Sequence, residues 1–238
     1  MRVPPGILSE EDYWRIFHLI RGDVEAAIKS NYTYLKIHNL AVSERETNDK
    51  LNRYPEFWTL NSFALQTTFF IIFGRLFDMR TDSYSVQKLV EATIANPALF
   101  SKTALRARKR DSMEIDGADP EWLVDYLASA WEPATGDLEV LRTAIAPHYD
   151  KFTAIYKPIR HKFFAHKGME TQAAIDALFG KTSIGDVTEI LRFLHTLLWA
   201  IRELAWNAKT PDLADFSDYD AYVKIIDEKT EKFIRYLP

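Results

Sequence analysis

The sequence predicts an all-α protein, a helical bundle. Apolar residues recur at three- and four-residue spacing over long stretches, as one face of a helix requires. Alternation of Val, Ile and Thr between turn residues, the mark of strands, is nearly missing. Glycine is scarce, with 8 in 238 residues. A chain of this length is expected to fold as one domain over residues 1–238.

Taken in order, Ser9-Glu10-Glu11-Asp12 reads as a helix start, with Ser9 as N-cap and Asp12 reaching back to it. The helix that follows carries Tyr13, Ile16, Phe17, Ile20, Val24, Ala27 and Ile28 on one face, and its period runs on through Tyr34 and Ile37. Residues 43–53 are polar and read as a solvated helical turn or connection. Pro55 is allowed at the first position of a new helix. Residues 56–78 are the most apolar segment, with Phe57, Leu60, Phe63, Phe69, Phe70, Phe73 and Phe77 nearly encircling it, which predicts a central, buried helix. Arg75 and Asp78 stand three apart near its end, in reach of a local ion pair. Ser85 opens the next helix, which ends before Asn96-Pro97. The bipolar run of bases at 102–110 and acids at 111–119 predicts an exposed, self-neutralising helix and loop, a charged insertion around 97–120. Pro120 restarts a helix that Pro133 and Gly136 break. A helix from Asp137 carries Leu138, Leu141, Ile145, Tyr149 and Phe152, with kinks expected at Pro147 and Pro158. A short helix over Thr171–Phe179 closes at Gly180. Two amphipathic helices complete the chain, one through Val187, Leu194 and Leu204, the other from Ser217 through Ile226 and Phe233.

Composition narrows the function classes. Cysteine is absent, which excludes a disulfide framework and cysteine-ligated metal sites. Met1 to Gly6 has no signal-peptide core, so a cytoplasmic protein is expected. The most apolar run, Phe69–Phe73, is far shorter than the ~20 residues of a membrane span. A net charge of −4 argues against a basic coat, but leaves room for a local basic site.

That site is predicted at residues 157–168, which hold two of the six histidines and four cationic side chains. No acidic residue occurs from Lys151 through Met169. Within this stretch Arg160-His161-Lys162-Phe163-Phe164-Ala165-His166 places an arginine, a polar residue and then a histidine near the end of a helix. A second stretch, Phe73-Gly74-Arg75-Leu76-Phe77-Asp78, leads through a polar loop to Ser85-Val86-Gln87-Lys88-Leu89. Together these resemble the HEPN superfamily, in its abortive-infection, AbiU-like branch. The resemblance implies a four-helix core with added helices and a homodimer, with both copies of the 160–166 segment at a shared cleft. It implies a metal-independent RNA endonuclease of phage-defence or toxin–antitoxin type, without cofactor, and with an antitoxin or other regulatory protein as a candidate partner. Other members keep the fold without cleavage, so the alternative is a non-catalytic module that binds nucleotide, RNA or a protein.

The residue types suit that chemistry. RNA supplies its own nucleophile, the ribose 2′-OH. Histidine, with an ordinary pKa of about 6.5, can move the protons. Arginine offers a fixed cationic fork to the phosphoryl oxygens. Arg160 and His166 are thus the candidate catalytic pair, His161 and Asp78 candidate supporting groups, and Lys157, Lys162 and Lys167 candidate RNA contacts. Asp78 has two readings, orienting Arg160 or His166 across the core, or pairing locally with Arg75. A metal held by His161 and His166 is not expected, because their helical offset splays the rings and no carboxylate lies nearby. On an ideal helix, residues six apart lie about 9 Å apart along the axis and roughly 120° around it. Arg160 and His166 of one chain therefore converge only if the helix ends irregularly or a second subunit contributes. The plain reading of the whole stretch is an exposed basic turn without chemistry.

Overall fold

The computed structural model describes residues 8–80, 82–134, 136–165 and 171–237. Every regular element among them is helical, as the sequence periodicity predicts. The first helix, α1 (Glu10–Ser43), starts as expected: Ser9 Oγ accepts from the Asp12 N–H at 3.1 Å and donates to Asp12 Oδ2 at 2.9 Å. Its predicted face is buried from Tyr13 to Ile28. Its far end enters a smaller cluster, where Ile37 and Leu40 meet Leu51 and Ile234. Helix α2 (Arg45–Leu51) follows directly.

Helix α3 (Pro55–Leu76) departs from expectation. It packs against α1, yet its buried residues begin only at Phe69. Phe57, Leu60 and Phe63 are 57, 67 and 52% exposed. An apolar girdle says that a helix can be covered all round; here the neighbouring elements cover its second half.

Helix α4 (Val86–Ala95) is capped by Ser85 and joined to α1 inside the core. Thr93 Oγ1 donates to the Leu89 carbonyl at 2.8 Å, and Tyr13 Oη lies 2.7 Å from the same oxygen. With the threonine proton spent on Leu89, the tyrosine is the donor of that contact.

The charged segment comprises a 3-10 turn (Pro97–Phe100), α5 (Lys102–Ser112) and the loop before α6 (Glu121–Ser129). Asp119 pairs with both Arg106 and Arg110 at 2.5 Å, the self-neutralisation that the sequence suggests. The segment is less exposed than its composition implies. Leu105 is buried, and Arg108 is only 7% exposed. Arg108 donates to the Ala205 carbonyl at 2.9 and 3.2 Å and to Glu10 at 2.7 Å. One guanidinium thus satisfies a carbonyl near the end of α10 (Ile184–Asn207) and ties it to the first turn of α1.

Helix α7 (Glu139–Lys151) passes Pro147 without interruption. The expected irregularity lies after it. The helix widens into a π turn at Phe152–Tyr156, returns to α geometry for Lys157–Ile159 (α8), and widens again at Arg160–Ala165. Pro158 has no N–H, and its ring would crowd the carbonyl four residues back, Ala154, which the first π turn contains. The short α9 (Gln172–Phe179) buries none of its residues. Helix α10 and the last helix, α11 (Ser217–Arg235), close the bundle against α1. No described helix is long and apolar enough to cross a membrane.

The Tyr13–Thr93 pair tests this core. Thr93→Val leaves a buried hydroxyl without an acceptor and is expected to cost about 1–3 kcal/mol in urea unfolding. Adding Tyr13→Phe should recover most of that loss, because both polar partners are then gone.

Candidate active site

The site is built by two segments that run past each other in opposite directions. On one is α3; on the other is the stretch from Phe152 to Ala165. Phe152 stacks on Phe77 at 4.7 Å and meets Phe73 edge-on at 5.4 Å. Tyr156 meets Phe73 edge-on at 5.5 Å. Farther along, Phe164 stacks on Phe70 at 4.5 Å with the rings 13° apart. Phe152, Tyr156 and Ile159 are all buried.

Between these ring contacts Arg160 crosses α3 at Gly74. A Cβ placed on Gly74 would lie 2.4 Å from Arg160 Cδ and 2.5 Å from Nε. Only a glycine leaves space for the side chain in that position. Among the described residues Arg160 Nε is buried there without a hydrogen-bond partner.

The guanidinium reaches a cleft of about 510 Å³ between α1, α3 and the loop before α4. Leu19, Ile20 and Ile71 give it an apolar part; Arg75, Arg80 and Arg160 bring three positive charges, and Asp23, Asp78 and Asp82 three negative ones. Two of the arginines are committed. Arg75 holds Asp23 of α1 through two bonds, at 2.6 and 2.5 Å. Arg80 donates from Nε to Asp78 at 2.8 Å, and its backbone N–H donates to the same carboxylate at 3.0 Å. Among the described residues Arg160 makes no ion pair. The loop itself is fastened by Lys88, whose Nζ donates to the carbonyls of Arg80 and Ser83, and by Ser83 Oγ on the Asp78 carbonyl.

The family model HEPN_AbiU2, described as AbiU2, matches residues 10–225. The chain belongs to the AbiU2 family of HEPN domains. It is a HEPN-type abortive-infection module. No curated protein and no solved structure matches it.

In this AbiU2 domain the structure brings together two of the residues singled out by sequence, Arg160 and Asp78, in one cleft. The expected Arg75–Asp78 pair does not form. Helix α3 ends at Leu76, so Asp78 lies beyond the helical register and turns to Arg80 instead. Lys157, His161 and Lys162 are exposed and stand outside the lining of the cleft. His166 and Lys167 lie outside the described residues, so the Arg160–His166 distance is not part of this geometry. Among the described residues, no three His, Asp or Glu side chains are grouped to hold a metal ion.

Sequence reasoning missed Arg80, Asp23 and Gly74. An isolated glycine inside an apolar helix was the available signal, because it marks a close approach. Asp23 had none, since its partner is 52 residues away.

Burial opposes ionisation of Asp78, but the hydrogen bonds from Arg80, with the charges of Arg80 and Arg160, outweigh it and lower its pKa. A depressed carboxylate contributes stability above its unfolded pKa and loses it as pH falls through the folded value. Asp78→Asn should therefore destabilise the AbiU2 domain near neutrality, with the deficit vanishing in acid. Gly74→Ala should displace Arg160 while keeping the fold, because the obstructed atoms belong to a flexible side chain and alanine favours helix by about 1 kcal/mol. Carbon-detected NMR should then find the Asp78 carboxyl titrating higher in Gly74→Ala than in the parent protein.

Proposed function

We propose that this AbiU2 domain is a metal-independent RNA endonuclease acting in phage defence or as the toxin of a toxin–antitoxin pair. One observation carries the reading. Arg160, the arginine of the stretch that resembles the family's motif, is delivered across Gly74 into a cleft where it makes no described ion pair. An unpaired, partly desolvated guanidinium beside open space is suited to a phosphate, whose oxygens can take two parallel hydrogen bonds.

In the proposed reaction the ribose 2′ oxygen attacks phosphorus and the bond from phosphorus to the 5′ oxygen breaks. The 2′ proton passes to a base, and the departing 5′ oxygen takes a proton from an acid. The products are a 2′,3′-cyclic phosphate and a 5′-hydroxyl. Arg160 stabilises the charge on the phosphoryl oxygens, and His166 transfers protons. Asp78 supports the charge of Arg160 from across the cleft and His161 is the second supporting group, while Lys157, Lys162 and Lys167 serve RNA strands that extend beyond it.

The working form in this proposal is a homodimer with the two 160–166 segments at a shared cleft. Support comes from the uncovered side of α3. Phe57, Leu60, Ala64 and Ile71 fall on one helical face, and Ile71 lines the cleft. A second copy laid on that stripe would bury it and bring two clefts together, supplying one histidine as base and another as acid. The second reading is a non-catalytic module that binds nucleotide, RNA or a regulatory protein. It is favoured by the charge balance of the cleft, where three aspartates offset three arginines.

Labelled RNA in EDTA separates the two readings. Cleavage by the parent protein is expected, with cyclic-phosphate ends. His166→Ala and Arg160→Ala should each lose about 10²-fold or more at matched folding. Equal activity in all three would assign it elsewhere, and silence over several RNAs would favour the binding module. In sedimentation, Leu60→Arg should convert the dimer to monomer; a parent protein already monomeric would remove the shared cleft.

A further inference from the structure

A second cavity, which shares no lining residue with the cleft, has Phe70 of the Phe70–Phe164 stack in its wall. It measures about 150 Å³ and is walled by α1, α3, the first π turn and the segment from α9 into α10. Unlike the other cavities described, it has no charged side chain among the described residues of its lining. Phe69, Phe70, Phe179 and Val187 make most of its surface apolar. Among the described residues, Asn31 Nδ2 is buried without a hydrogen-bond partner. Two hydroxyls of the lining are occupied, Tyr156 on the Ser183 carbonyl at 3.2 Å and Thr182 on the Phe179 carbonyl at 2.8 Å, and Ser30 and Tyr34 add hydroxyls of their own.

We infer that this cavity is a binding site for a small, uncharged, ring-sized molecule with one hydrogen-bond acceptor. The size fits: an apolar cavity of about 150 Å³ holds a benzene ring. The absence of charge in the lining selects a neutral ligand, because a buried ion without a counter-charge is strongly disfavoured. The Asn31 amide selects the acceptor; turned about its terminal bond, it presents N–H to the cavity and ends the isolation of that nitrogen.

The site also reaches the motif turn. Phe179 lines the cavity and touches Phe70 at 6.1 Å, Phe163 at 5.3 Å and Phe164 at 6.2 Å. It is the last residue of α9, which buries no residue of its own. A ligand beneath Phe179 adds contacts to a lightly held helix and, through Phe164, steadies the turn that begins at Arg160.

The full chain titrated with acetophenone, toluene and benzoate, followed by NMR of the phenylalanine rings, tests the site. Acetophenone should bind about tenfold tighter than toluene, the worth of one hydrogen bond, and benzoate should not bind. Asn31→Leu should lower acetophenone to the level of toluene while toluene still binds. Val187→Phe, filling the cavity from α10, should abolish both. Acetophenone should also slow amide exchange over 160–165 and 172–179. Lack of binding by either neutral probe, meaning a water-filled groove only, overturns the site, as do benzoate binding as tight as acetophenone and binding retained in Val187→Phe. An acetophenone preference that survives Asn31→Leu overturns the role of the amide. Unchanged exchange overturns the link to the motif turn. None of these outcomes depends on RNA cleavage.

Discussion

The antiparallel contact between α3 and residues 152–165 governs the rest of the molecule. Aromatic rings fix its register at both ends, Phe77 with Phe152 and Phe70 with Phe164. Those stacks are dispersion and burial, with no polar group to choose a direction. Direction comes from the gap between them. Gly74 leaves a place on α3 where the stem of an arginine can cross, and Arg160 fills it. The arginine is thereby held along its length while its charged end stays in the cleft.

Around that end the protein holds its charges in place rather than merely concentrating them. Asp23 fixes Arg75 and Asp78 fixes Arg80, so the flanking guanidiniums have defined positions before anything binds. The loop that carries Arg80 is itself held by Lys88, an α4 residue anchored beside the Ser85 cap. Positive charge that is already positioned loses little entropy when a phosphate arrives. The exchange is a lower long-range field, in keeping with an overall charge of −4.

What could be read in the sequence was local. Ser9, Ser85 and Thr171 are caps because the hydroxyl and the amide that it accepts from are three residues apart. The buried face of α1 follows from its period. What could not be read depended on distant partners. The apolar girdle of α3 gave no sign of which half its neighbours would cover. The Arg75–Asp78 spacing suggested a pair, but that rule holds only inside a helix, and α3 stops at Leu76. Arg108 looked like one base in an exposed run, and its buried role appears only when the end of α10 is beside it. Arg160 stood out by motif; its setting, the Gly74 crossing, is a tertiary fact with a one-residue trace.

The two π turns around Pro158 have a consequence for how such a motif can vary in length. Inserting a residue into an α-helix swings everything after it by about 100° and moves it about 1.5 Å onward. A turn closed by wider hydrogen bonds can instead take up or release a residue locally. Phe152 and Phe164 would keep their stacking partners on α3 while the chain between them lengthened or shortened by one. In this segment an insertion or deletion would be absorbed as a change of helical pitch, and the arginine would keep its seat on Gly74.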